Sequence, residues 1–191
     1  MMTTILGVDP GLTRLGVGVI NHGPGRSVSL VHVDVYRTPP ADEPAARVGA
    51  LFRQLEKALD EFAPDIVALE RVFAQHNVRT VMGTAQISGV VLALAHARSI
   101  PVSLRTPSEV KAAVTGYGRA SKAQVGTMVK SILGLDEIPQ PADAADALAL
   151  AITEAWRGLG PQASAPEAGA TPAQQAWRAA EAKARQPRLK G

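Results

Sequence analysis

Three short apolar runs fill the chain up to Arg37, each closed by turn-forming residues, and from Asp42 the apolar spacing changes from strand-like to helical. The first run, TTILGVD, ends in Pro10 and Gly11. The second, LGVGVINH, closes on a Gly/Pro turn, so the two predict a hairpin. In the third, SVSLVHVDVYR, Val28, Leu30, His32, Asp34 and Tyr36 alternate with Ser29, Val31, Val33 and Val35, which makes one face more apolar and predicts a meander. Val48, Leu51, Phe52, Leu55, Leu59 and Phe62 then mark one stripe of an amphipathic helix that Pro64 ends, and DIVALE follows as a buried strand. This order requires a sheet covered by helices, an α/β class. With 46% hydrophobic but only 4% aromatic residues, its core must be built from Val, Leu, Ile and Ala.

Further on, Asn77 caps an uncharged helix that runs to about Ala97, and PVSLR is a fifth short strand. Thr106-Pro107-Ser108-Glu109 and Ser121-Lys122-Ala123-Gln124 both match the capping box and start two more helices, with residues 116–120 as the loop between them. A last helix begins near Pro141 and ends about Arg157, with Gly158 placed to stop it. Residues 1–157 therefore read as one domain. Residues 158–191, rich in Ala, Pro and Gln with five basic and two acidic groups, read as a basic tail without a core, in which residues 171–185 can form a transient helix. The longest uncharged stretch, residues 80–97, contains Gln86, Ser88, His96 and two glycines, which suits a buried or dimer-facing helix and not a membrane span. An acid by position 9 also argues against a secretion signal, so the expected location is the cytoplasm.

Charge is distributed in blocks. Residues 71–130 carry eight Lys or Arg against the single acid Glu109, whereas residues 31–70 hold four basic and eight acidic groups. A basic middle flanked by acidic segments suits a polyanion-binding face, or a solvated surface. Cysteine is absent, so any metal must be bound by oxygen or His nitrogen, which favours a hard cation.

Four acids stand out. Asp9 and Glu70 each occupy the point where an apolar strand runs out, and the two strands become neighbours if the meander and first crossover pack normally. Asp143 and Asp146 lie three apart on a helix and so share a face. Taken singly, Asp9 also suits a turn and Asp143 a helix N-terminus. Glu70 and Asp146 sit within or at the end of apolar runs, where an unpaired charge costs several kcal/mol. Carboxylates gathered in this way repel one another unless a divalent cation offsets their charge, and oxygen-only ligation suits Mg²⁺ or Mn²⁺, with two ions per site able to act on a phosphodiester.

The segments GVDPGLTRLGVGV, ALERVFAQHN, VKAAVTGYGRASKAQV and ADAADALALAI, in this order and spacing, resemble the RuvC Holliday junction resolvases over about residues 4–156. The resemblance implies a ribonuclease H-like fold, with a five-stranded mixed sheet flanked by helices, working as a homodimer. It implies catalytic and metal-binding roles for Asp9, Glu70, Asp143 and Asp146, with His replacing the acid at position 143 in some members. Phe73 matches an aromatic that stacks on bases near the crossover, although alone it also suits a core. Lys111 and Lys122 match lysines that contact DNA near the cut phosphate, although either alone suits a solvated helix face. On charge, Arg14, Arg71, Arg79, Arg105, Arg119 and Lys130 are further phosphate-contact candidates, and the turn residues Gly11, Leu12 and Thr13 can approach the DNA backbone closely.

The expected activity is resolution of four-way junction DNA by paired symmetric nicks in recombination and repair. Metal-activated water attacks phosphorus, leaving a 5′-phosphate and a 3′-hydroxyl. A near two-fold junction calls for a symmetric dimer, and the helix over residues 77–97 is the expected seam. The RuvA and RuvB branch-migration proteins are partners implied by the family. Three rival readings are an ATP-hydrolysing protein of the actin and Hsp70 class, which shares the Asp-Gly turn but needs two such lobes, for which 191 residues with one D-x-G motif are too few, a related nuclease acting on structured RNA, and a noncatalytic junction-binding protein.

Overall fold

The computed structural model describes residues 2–72 and 78–157, and for residues 78–80 the backbone alone. The meander forms as expected: β1 (Thr3–Asp9), β2 (Arg14–His22) and β3 (Val28–Arg37) are joined antiparallel. After α1 (Pro44–Phe62), β4 (Ile66–Glu70) pairs parallel with β1. Following α2 (Val78–Ala97), β5 (Val102–Arg105) pairs parallel with β4. The five strands lie in the order β3-β2-β1-β4-β5, a mixed sheet, and α3 (Pro107–Thr115), α4 (Lys122–Leu133) and α5 (Ala142–Arg157) complete the described chain. Both capping boxes are present: Thr106 with Glu109 opens α3, and Ser121 with Gln124 opens α4.

Strand alternation divides the core in two. Leu6, Val8, Leu15, Val17, Val67 and Leu69 pack against α1 and α2 on one face, while Ile5, Ile20, Ile66 and Ala68 meet α3, α4 and α5 on the other. Among the described residues no helix is long and apolar enough to cross a membrane.

Two expectations need correction. β3 does not keep one alternation along its length: Val19 pairs with His32 but Ile20 with Leu30, so Val31 is an extra residue, a β-bulge, and is exposed. The bulge exchanges faces, so Val28, Leu30 and Val33 serve the α5 side while His32 stacks on Phe62 of α1 and Tyr36 packs with it. Phe52, placed in the buried stripe of α1, is exposed, and the stripe instead includes Arg47 with Leu51, Leu55, Ala58 and Leu59. The Asn77 cap, the tail beyond residue 157 and its possible helix lie outside the described residues.

Candidate active site

The site is assembled by a floor of glycines. Gly7 and Gly18 are register partners, and Gly16 is opposite Asp9. All three face α5, and none has room for a methyl group. A Cβ on Gly16 would collide with the Asp143 carbonyl oxygen, one on Gly7 with that of Ala147, and one on Gly18 would lie 2.9 Å from the Leu148 nitrogen. With Ala144, Ala145, Ala147, Ala149 and Ala151 buried along α5, helix and sheet approach backbone to backbone. This contact carries the first turns of α5 over the end of β1. Because Val8 pairs with Leu69, Asp9 and Glu70 come level at the ends of adjacent parallel strands, both on the α5 face.

The four acids act on one another electrostatically. Burial pushes the Asp9 carboxyl up to about 7, helped by the negative charges of Glu70, Asp146 and Asp143 and opposed by Lys122. Glu70 is raised for the same reasons, burial first and Asp146 next, with Lys122 and Lys111 working against the shift. Two cations of the chain balance the helix acids: Lys122 Nζ donates to Asp146 at 2.6 Å, and Arg14 Nε lies 3.2 Å from Asp143. The bond to Asp146 raises the Lys122 ammonium above its ordinary value, outweighing its partial burial. Among the described residues no three acids or histidines are arranged to ligate a single ion. The donor set itself suits a divalent cation. It consists only of carboxylate oxygens, and the negative charge of Glu70, Asp146 and Asp143, which adds to burial in raising Asp9, is what a hard cation would offset.

The candidate DNA contacts divide. Lys111 and Lys122 border the acids from α3 and α4. Gly11, Leu12, Thr13 and Arg14 line a cleft of about 700 Å³ that also reaches Asp143, and Gly11 lacks a Cβ because the Arg14 carbonyl folds against it. Arg71 and Arg119 are exposed, with no ion pair among the described residues. Lys130 lies about two turns along α4 from Lys122. Arg105, a phosphate candidate on charge alone, is turned inward instead: its Nε and Nη2 both donate to Glu154, at 2.9 and 2.6 Å, on the buried side of α5. Phe73 and the Arg79 side chain lie outside the described residues. Sequence reasoning missed the glycine floor and Arg47, which bonds Thr13 from inside α1. The available signals were glycines alternating along LGVGV and a cation within an apolar helical stripe.

A five-stranded mixed sheet whose central strand ends carry acids met by two more from a packed helix defines the ribonuclease H-like class of fold. The family model for crossover junction endodeoxyribonuclease RuvC matches residues 5–154. The chain belongs to the RuvC family. Among its relatives, the RuvC of Parafrankia sp. (strain EAN1pec) is 60% identical over 154 residues, which are 81% of this chain and 86% of that protein. That of Leifsonia xyli subsp. xyli is 54% identical over 194 residues, covering 95% and 93% of the two chains. The structure of Thermus thermophilus RuvC in complex with a Holliday junction substrate superposes with a TM-score of 0.77 at 36% identity, covering 81% of this chain and 94% of that one.

Proposed function

We propose that this chain is a crossover junction endodeoxyribonuclease that resolves four-way DNA junctions, with Asp9, Glu70, Asp146 and Asp143 as the carboxylates that hold divalent metal. The family membership supports the reaction class. What carries the site assignment is the convergence of four carboxylates: Asp9 and Glu70 end adjacent parallel strands on the α5 face, and α5, seated against Gly16 opposite Asp9, carries Asp143 and Asp146. Bound Mg²⁺ or Mn²⁺, as two ions in this reading, supplies charge neutralisation, acidification of water and stabilisation of the leaving oxygen.

The chain's own residues do the rest. Asp9 and Glu70 are fixed by the sheet, so their carboxylates need little reorganisation. Asp143 and Asp146 are carried on α5, whose position the glycine contacts set. Lys122, released from Asp146 when that carboxylate is otherwise engaged, brings its ammonium to a phosphate oxygen, and Lys111 adds positive charge beside Glu70. The basic residues between 71 and 130 supply salt-dependent affinity for the backbone, and the tail 158–191 adds to it.

In this reading residues 1–157 are the nuclease domain and the protein acts in the cytoplasm. Two copies pair through α2, whose Met82 and Leu92 are exposed, to place two sites on one junction. RuvA and RuvB are its partners and Phe73 stacks on bases at the crossover. The test uses labelled four-way junction, linear duplex and structured RNA with Mg²⁺ or Mn²⁺. Junction cutting should dominate, and equal cutting of all three would remove the selectivity. Asp9→Asn and Asp146→Asn should bind the junction without cutting it. Normal cutting by either would show that the metal lies elsewhere.

A further inference from the structure

Beside the acid cluster, one nearly buried cation is held without a carboxylate. Arg47 lies on the inner face of α1 and is 9% exposed. Among the described residues none of the ion pairs includes it. Its Nε donates to Thr38 Oγ1 at 3.0 Å and its Nη2 to Thr13 Oγ1 at 2.7 Å. Thr38 is itself held, its hydroxyl donating to the Leu12 carbonyl and its N–H to the Thr13 carbonyl at 3.2 Å. Two hydroxyls thus orient the guanidinium, but neither balances its charge, and a desolvated cation without an anion is costly.

Of the five N–H groups of the guanidinium these bonds use two, and among the described residues Nη1 has no hydrogen-bond partner. Nη1 is not sealed off either: among the described residues the fully occluded side-chain polar atom lacking a partner is Glu154 Oε1. Arg47 lines the cleft of about 700 Å³ already met, bounded by the turn at Gly11 and Thr13, by Pro44 at the start of α1, and by Asp143 of the acid cluster. The first turn of α1 carries no acid, and its N-cap residue Glu43 makes no side-chain cap bond.

We propose that this cleft seats a backbone phosphate of the DNA strand, a different one from the phosphate that is cut, and that Arg47 is its ligand, with Thr13 and Thr38 as the residues that aim it. The inference rests on the nuclease reading. It deepens that reading by giving the strand a second anchor on the Asp143 side of the site, at a phosphate other than the one served by Lys111 and Lys122.

The experiment measures junction binding in metal-free buffer against salt, for the wild type, Arg47→Gln and Arg47→Lys. Each phosphate contact contributes a slope of about 0.9 in the logarithmic salt plot, so Arg47→Gln should lose about one unit of slope and bind roughly tenfold more weakly. Arg47→Lys should keep the slope but bind more weakly, because it keeps the charge and loses the fork. Junctions carrying single neutral methylphosphonates then locate the contact. One position near the cut should weaken wild-type binding and leave Arg47→Gln indifferent. An unchanged slope together with a wild-type methylphosphonate profile in Arg47→Gln would overturn the proposal, whatever the melting temperature, and reduce Arg47 to a brace for the turn. If Arg47→Gln does not fold, the methylphosphonate profile of Arg47→Lys decides: a smaller penalty at that one position supports the contact, and identical penalties everywhere refute it. Failure of the wild-type protein to bind junctions at all would instead remove the nuclease reading.

Discussion

Asp9 is the residue whose environment is most at odds with its charge. Its carboxyl rises from 3.8 to about 7 on folding, so without metal the folded state holds a proton that the unfolded chain has already released. Asp9 therefore weakens the fold increasingly as pH climbs from about 4 to 7, and the penalty levels off above that. Asp9→Asn should raise the melting temperature of metal-free protein at pH 8, by the equivalent of about 2 kcal/mol, and change little at pH 4. Equal effects at both pH values in thermal melts would mean that burial and the neighbouring acids do not act on this group. Lys122 is the converse case. Its ammonium is largely exposed, so its pair with Asp146 contributes little to stability, about 0–1 kcal/mol. Lys122→Met should leave melting nearly unchanged but lower the cleavage rate about a hundredfold, as measured in single-turnover assays with saturating metal. A large loss of stability with normal cutting would reverse the assignment. The acids were legible in the sequence because strand ends and a three-residue helical spacing are local features of Asp9, Glu70, Asp143 and Asp146. Arg47 was not, because its burial depends on Thr13 and Thr38, which approach only after the sheet has formed.

At the scale of elements, the seating of α5 on β1 and β2 decides whether the acids meet. Gly16→Ala places a methyl group against the Asp143 carbonyl, so the helix must shift. A loss of about 1–3 kcal/mol in denaturant melts is expected, together with a drop in cleavage that persists at temperatures where the variant is fully folded. Full activity in the folded variant would show that the contact is not what positions Asp143. Deeper along the same helix, Arg105 ties β5 to Glu154, which is buried with one oxygen unpartnered. Glu154→Ala removes the buried carboxylate that accepts two charge-assisted hydrogen bonds from Arg105 and should cost about 3–5 kcal/mol, read as a lower denaturation midpoint; a change below about 1 kcal/mol would contradict the burial. The elements themselves followed from period and capping, and both capping boxes formed where the sequence placed them. The β3 bulge at Val31 did not follow, because an extra residue is defined by its partner strand and leaves no mark in the run SVSLVHVDVYR.

The described part of the molecule is a sheet with two unequal faces: α1 and α2 cover one, and α3, α4 and α5 cover the other and bring the acids to the ends of β1 and β4. The α/β class was readable from the order of periodicities, and the adjacency of β1 and β4 from the rules of chain connection. The inward turn of Arg105 was not, since charge alone does not distinguish a lysine or arginine that faces solvent from one that meets a buried acid. What unites these features is that folding itself concentrates negative charge at one point and leaves chain cations, Lys122 and Arg14, to balance it; in the proposed function, metal and phosphate take over that role. Crystals soaked in Mn²⁺ and measured at the manganese absorption edge test this most directly. Anomalous density is expected between Asp9, Glu70 and Asp146, with Lys122 drawn away from Asp146. Manganese bound only elsewhere, with the Lys122–Asp146 pair intact at saturating metal, would contradict it.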